Sequence, residues 1–385
     1  MHIPADHPAL SWRRAGLMAL TGAGTGLMCP VALGAAADAA LRALQDLAPG
    51  ARLPQPGAAL LGERARLMGL RRGGLVSANG TCRVLRARDG ALAVSLSRAE
   101  DFAALPALCE DDAVTGWDSL AAALPGRSVA EVLAQARLLG LPVSPVAAPP
   151  GAGAAVPVPV GAPRARRAPR VLDLTALWAG PLAASLLGMC GALVVKLEDA
   201  ARPDGARFGH AGFYALLNQG KQVVTAAFGT AAGRAVVHRE IAAADIVLTS
   251  CRPRALAQLG IDPDAEAARG AVFVCITGHP DGTAAFGDDA AAAAGLNALM
   301  HAHWGAPYFA GDAIADPLTG MQAALSAWSA WLAGGGARID LSLSGCVARH
   351  IAADRDVSPA RTRAWQAMAA ADTAPLYELR AVPAC

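Results

Sequence analysis

The run Val171–Glu198, VLDLTALWAGPLAASLLGMCGALVVKLE, constrains the fold more than any other stretch of the chain. Asp173 is its only charge before Lys196. Hydropathy alone would make it a membrane span, because a spanning helix needs roughly 20 apolar residues and Thr175 to Val195 supplies about that. The punctuation argues for a soluble βαβ unit instead. Gly180-Pro181 follows the β-rich VLDL, a helix-like AASLLGMCG comes next, and a second β-rich run, LVVKL, closes the segment. Proline is tolerated in the first turn of a helix, and strands buried on both faces read as solid apolar runs. Strand, turn, helix, strand is therefore the expectation.

The same alternation continues beyond it. Apolar, β-rich runs recur at 171–174, 192–197, 222–228, 245–249, 271–276 and 338–343, with helical stretches at 181–190, 230–243 and 317–333. This spacing predicts an α/β fold: a doubly wound, mostly parallel sheet forming a Rossmann-like large domain. Ligands of such sheets bind beyond the carboxyl ends of the strands, so the loops there are where chemistry is expected. Residues 35–145 read differently. ADAALRALQDLA and GERARLMGL are helical, TCRVLRARDGALAVSL is a hairpin with an Asp-Gly turn, and SVAEVLAQARLLGL is a helix capped by Ser128. This pattern predicts a smaller α+β domain. Between the two lies VAAPPGAGAAVPVPVGAPRARRAPR, rich in Pro, Gly and Ala, which reads as an extended linker. The expected organisation is a first region at 1–145, a linker at 146–169, a Rossmann-like domain at 170–350, and a helical C-terminal tail at 351–385.

Composition excludes some partners. The hydrophobic fraction is 54% and the mean hydropathy +0.36, but much of this is alanine and glycine. A net charge of +2 gives no bulk attraction to nucleic acid or to an anionic membrane, and neither is expected as a partner. The eight cysteines are scattered, with no CxxC pair and no Cys/His spacing for a metal. They read as small buried hydrophobes of a reducing cytoplasm, and no metal is expected. Ser11-Trp12-Arg13-Arg14 and the apolar residues after it look like a twin-arginine export signal. The segment is thick with glycine and carries Pro30, which suits a folded segment better, so the expected location is the cytoplasm.

Several motifs, taken in order, resemble those of the class III CoA-transferases, the CaiB/BaiF group that includes formyl-CoA transferase and the α-methylacyl-CoA racemases. They are the opening strand and turn at Arg170–Pro181; GALVVKLE at Gly191–Glu198; Asn218-Gln219-Gly220-Lys221-Gln222; Ala244–Arg254 followed by Leu259-Gly260; Cys275-Ile276-Thr277-Gly278; Gly287-Asp288-Asp289; Ala315-Asp316 to Gly320; and Gly334–Leu343. In the first region, WRRAGLMALTG, RDGALAVSL and LLGLPVSPV resemble segments from the other end of the same family. The chain thus looks rearranged, with the family's C-terminal half first and its N-terminal half second, either by permutation or by fusion of two truncated copies. Members of the family form interlocked dimers, which implies a homodimer here.

The resemblance implies an acyl-CoA:carboxylate CoA-transferase working through an aspartyl-CoA thioester, a case of covalent catalysis by a carboxylate. Its substrates would be acyl-CoA and a carboxylic acid acceptor, with coenzyme A as substrate and no permanently bound cofactor. Asp289 best matches the motif taken to carry the nucleophile, with Asp288 beside it. The pair also suits a helix N-cap. Pro181, Asn218, Lys221, Arg202, Arg207 and Arg252 are implied as contacts to the nucleotide or its phosphates. Gln219 and Gln222 stand where the family has arginines, and no copy of the family's glycine loop over the aspartate is evident. Two alternatives stay open: an α-methylacyl-CoA racemase-like enzyme, and a CoA-binding but catalytically impaired paralogue or partner subunit. His279 matches no racemase histidine and reads as a surface loop residue.

Overall fold

The computed structural model describes residues 7–150 and 168–382. Most of the expected linker, residues 151–167, lies outside the described residues. Two sheets organise the chain. The small one is antiparallel, in the order β1 (Cys82–Arg86), β2 (Ala91–Ser95), β3 (Val143–Pro145). The large one contains β4 (Arg170–Leu174), β5 (Leu193–Asp199), β6 (Gln222–Ala226), β7 (Ile246–Thr249), β8 (Val272–Thr277) and β9 (Ala337–Ser342). All its pairings are parallel, and its order is β6-β5-β4-β7-β8-β9. The order reverses between β4 and β7, which opens a crevice at their carboxyl ends.

The solid apolar runs have a simple cause: both faces of this sheet are covered, and alternate residues feed opposite cores. Val171, Ile246, Leu248, Val272, Val274 and Ile276 face one core, with helices Ala179–Met189 and Ala315–Leu332. Leu172, Leu174, Val247, Phe273 and Cys275 face the other, with helices Ala231–Ala243 and Pro253–Gln258. The run 171–198 is therefore strand, helix and strand, as expected. No helix among the described residues is long and apolar enough to cross a membrane.

The expected first unit at 1–145 divides in two. Helices Pro8–Arg14, Leu33–Leu47 and Ala58–Met68 bury Trp12, Leu41, Leu44 and Leu61, and the segment between the first two buries Leu17 and Met28, in the same core as the helices at 179–189 and 315–332. Only the later residues, around the antiparallel sheet, have a core of their own, built on Leu92, Val94, Leu105, Leu120 and Val132. The reason is physical: an amphipathic helix must bury its apolar stripe, but the stripe does not name its partner. The residues that resembled an export signal belong to this shared core, and Arg14 pairs with Asp372 at 3.0 Å. The C-terminal stretch, with helix Pro359–Ala371, thereby closes on the N-terminal helix. The hairpin and the Ser128-capped helix form as read. Ser128 accepts from the Glu131 amide, and the Glu131 carboxylate accepts from the Ser128 amide in return.

Candidate active site

The crevice begins at the loop after β4. The Ala176 amide donates to Ser250 Oγ across the reversal point, and the Leu177 amide donates to Asp204. Leu177 is held at φ +70°, a conformation that costs a non-glycine residue about 1–2 kcal/mol. A Cβ on Gly180 would overlap the Thr175 side chain, so the turn into the helix at 179–189 requires glycine there.

Beneath this loop lie the chain's two lysines, both with buried side chains. Lys196 Nζ sits 2.9 Å from Asp204 and donates to Thr175 O. Lys221 Nζ donates to Asp173 Oδ2 at 2.8 Å, to Pro181 O at 2.9 Å and to Asn218 Oδ1 at 3.0 Å. Burial would raise the Asp173 carboxyl, but the two ammonium groups overrule it and hold it low. Burial pulls Lys221 down to about 8. This arrangement differs from the expectation that Lys221, Asn218 and Pro181 grip a nucleotide. They bind one another and fix the loop from below. Arg207 differs too: it forms a two-pronged pair with Glu198 at 2.9 and 3.0 Å and lies over the Tyr214 ring.

Two cavities open along the crevice and share Ala176, Ser250 and Cys251. One, of about 470 Å³, lies at the carboxyl ends of β4 and β5 and includes Arg202 and Arg234 in its wall. The second, of about 210 Å³, is lined by Leu177, Gly180, Gly278, Phe286, Arg98, Arg252 and Asp316. Of the expected contacts, Arg202 and Arg252 line these cavities. Arg234, Arg98 and Asp316 line them too, though sequence alone assigned them no role.

The two aspartates singled out from the sequence stand behind the second cavity, not in its wall. Asp289 is 0% exposed, in the first turn of helix Gly287–Ala293. Its Oδ1 accepts from Ser95 Oγ and from the Phe286 amide, both at 2.8 Å, and its Oδ2 accepts from Ser144 Oγ at 3.0 Å. Burial drives its pKa up to about 6, against those hydrogen bonds. Ser144 also meets His279 Nε2, and His279 Nδ1 meets Ser344 Oγ, each at 3.0 Å. His279 is therefore part of a seam between the two sheets rather than a surface residue. Asp288 accepts the Ala313 amide at 2.9 Å, and burial, with Asp312 adding to it, pushes it up to about 8.

Asp316 differs in that its side chain borders the open cavity. It starts the helix Ala315–Leu332 and takes a hydrogen bond from the Gly287 amide, against which a Cβ would overlap its Oδ2. Burial raises it to about 7; Arg64 opposes the rise and Asp312 adds to it. Arg64 comes from the helix at 58–68, grips Asp312 at 2.8 and 2.6 Å, and stacks over Trp178. The signal that could have found Asp316 was the Ala315-Asp316-to-Gly320 motif, which was legible but given no chemical role. A buried carboxylate poised near neutrality at the mouth of a cavity can act as a nucleophile or as a proton acceptor.

Residues 169–368, just over half of the chain, match the family model described as CoA-transferase family III. A succinate–glutarate CoA-transferase of Agrobacterium fabrum is 28% identical over 45% of this chain and 50% of its own length. A succinyl-CoA–D-citramalate CoA-transferase of Chloroflexus aurantiacus is 30% identical over 41% and 43%. The crystal structure of a CAIB/BAIF family protein from Brucella suis is 26% identical, with a TM-score of 0.43, over 48% of this chain and 55% of that one. The chain spans about half the length of the curated relatives it matches.

Proposed function

Because the chain belongs to CoA-transferase family III, we propose that it transfers coenzyme A from an acyl-CoA to a carboxylic acid, with Asp316 as the nucleophile. The observation that carries this reading is the pair of joined cavities. The wider one offers Arg202 and Arg234 to the phosphates of a nucleotide, and the narrower one has a carboxylate, Asp316, in its wall. Coenzyme A is a long ligand with phosphates at one end and a thiol at the other, so it suits a bipartite crevice. Arg252 stands on the wall of the narrower cavity, next in sequence to the shared Cys251.

In this reading the Asp316 carboxylate attacks the thioester carbonyl. The C–S bond breaks, giving a mixed anhydride and a free CoA thiolate. The thiolate attacks the Asp316 carbonyl and releases the first acid as its carboxylate, leaving an aspartyl-CoA thioester. The acceptor carboxylate attacks that thioester and expels the thiolate. The thiolate then attacks the acyl carbonyl of the new anhydride, forming the product thioester and restoring Asp316. No net proton is consumed. Oxyanion donors would come from the wall at Ala284–Ala285, since the Gly282 and Thr283 amides already donate to His279 O and Asp281. Asp289 and Asp288 are the supports of this site rather than its nucleophiles. The rearranged order of halves remains part of the proposal, supported by residues 9–65 sharing one core with the matched span.

The test combines transfer with binding. The wild type should convert an acyl-CoA and a second acid into a new thioester. Asp316→Ala should lose about four orders of magnitude in rate, the scale on which removal of a nucleophile is felt, while still binding CoA. Transfer that persists in Asp316→Ala would refute the assignment, and CoA binding without any wild-type transfer would favour an impaired paralogue.

A further inference from the structure

The narrower cavity has a second charged end. Arg98 reaches its wall from the loop after β2, in the smaller unit, opposite the half that supplies Asp316. Its loop is pinned, because Asp101 accepts the amides of Ser97 and Arg98 at 3.0 and 2.9 Å. The guanidinium is oriented by the same carboxylate, with Nε at 3.1 Å and Nη2 at 2.6 Å from Oδ1. Nη1 takes no part in that pair, and the group lies 5.9 Å from the Phe286 ring centroid. The side chain is 49% exposed, so a ligand can reach it.

We infer that Arg98 recognises the second carboxylate of a short dicarboxylic acid and makes such acids the preferred substrates. The inference rests on the CoA-transfer reading of the same site. The cavity wall carries an anion, Asp316, and an oriented guanidinium, Arg98, and its apolar lining includes Ala176, Leu177, Ala179 and Ala285. An acid bound with one carboxyl at Asp316 would lay methylene groups along that apolar wall. A monocarboxylic acid would end in a methyl group against the guanidinium and strip its water without replacement, which is unfavourable. A second carboxylate instead gains a charge-assisted hydrogen bond to a donor whose geometry is already set. The cavity, about 210 Å³, is also below the roughly 300–1,000 Å³ of drug-sized sites, which suits a small acid. The other cation on the wall, Arg252, is engaged elsewhere: its Nη2 donates to Gly140 O at 3.3 Å.

Succinate and butyrate, equal in carbon number, separate the two cases when offered as acceptors with one acyl-CoA donor. Wild type should prefer succinate at least about tenfold in kcat/KM. Arg98→Gln should lose about 10²-fold with succinate, chiefly through KM, while its loss with butyrate is at least about tenfold smaller, and Arg98→Lys should recover part of the difference. Equal losses with both acids, or a raised KM for the acyl-CoA donor alone, would overturn the inference. A second measurement does not depend on turnover: binding of succinate and of butyrate to the CoA-loaded protein. If wild type exchanges CoA with no acid, the transfer reading fails. Weaker succinate binding by folded Arg98→Gln would then still support Arg98, and unchanged binding would sink it.

Discussion

Two helix starts in this protein present aspartate in the same local setting, and only one of them opens on a cavity. At the start of the helix at 287–293, Asp289 is closed in by Ser95, Ser144 and the Phe286 amide. At the start of the helix at 315–332, Asp316 has the Gly287 amide on one side and the crevice on the other. The two helices are linked, because Gly287, the first residue of the helix that carries Asp289, supplies the amide to Asp316. What separates a sealed carboxylate from one beside the cavity here is the smaller unit with its antiparallel sheet. Its Ser95 and Ser144 seal the first aspartate, and its Arg98 overlooks the cavity of the second.

That contrast can be broken by experiment. Its largest consequence is the difference in rate: Asp316→Ala should be nearly inactive, whereas Asp289→Asn, which can keep an acceptor for the Phe286 amide, should stay within about tenfold of wild type in kcat/KM. A comparable collapse in both variants would mean that the two positions cannot be told apart by exposure. Next in size is stability. Asp289→Ala leaves two buried hydroxyls and an amide without their acceptor, at about 1–3 kcal/mol for each group left unsatisfied, so its denaturation midpoint should fall well below that of wild type. A midpoint equal to wild type would show that the seam between the sheets is dispensable.

The smallest effect is on pH dependence. In the proposed reaction Asp316, raised by burial to about 7, attacks only when ionised. The acidic limb of kcat/KM, which reports the free protein, should therefore rise with pH through about 7. Asp289 contributes slightly to raising Asp316. Asp289→Asn should move the limb to lower pH by a fraction of a unit, and a shift upward would contradict the electrostatic coupling.

Much of the fold was legible because burial on both faces writes strands as unbroken apolar runs. The observed strands lie within two or three residues of the runs at 171–174 through 338–343. The helices at 33–47 and 58–68 were also legible, but not their place. Their stripes of Ala37, Leu41, Leu44 and Leu61 say that a partner exists, not that it is the helix at 315–332. The site was harder for the same reason. Lys221 fitted a phosphate contact by motif, yet a buried Asp173 needed its charge more. Arg98 and Arg234 are two among many arginines, and only folding from distant segments sets them on the crevice wall. Asp288 and Asp289 drew attention as an adjacent pair, while Asp316 sat in an equally visible motif. Sequence order could not show which carboxylate faces the cavity.

The most direct test of the assignment is to trap the covalent intermediate. The wild type is incubated with acyl-CoA and then hydroxylamine, and the aspartyl hydroxamate is located by peptide mass spectrometry. The structure predicts the modification on Asp316 alone; a hydroxamate on Asp289 or Asp288 would contradict it.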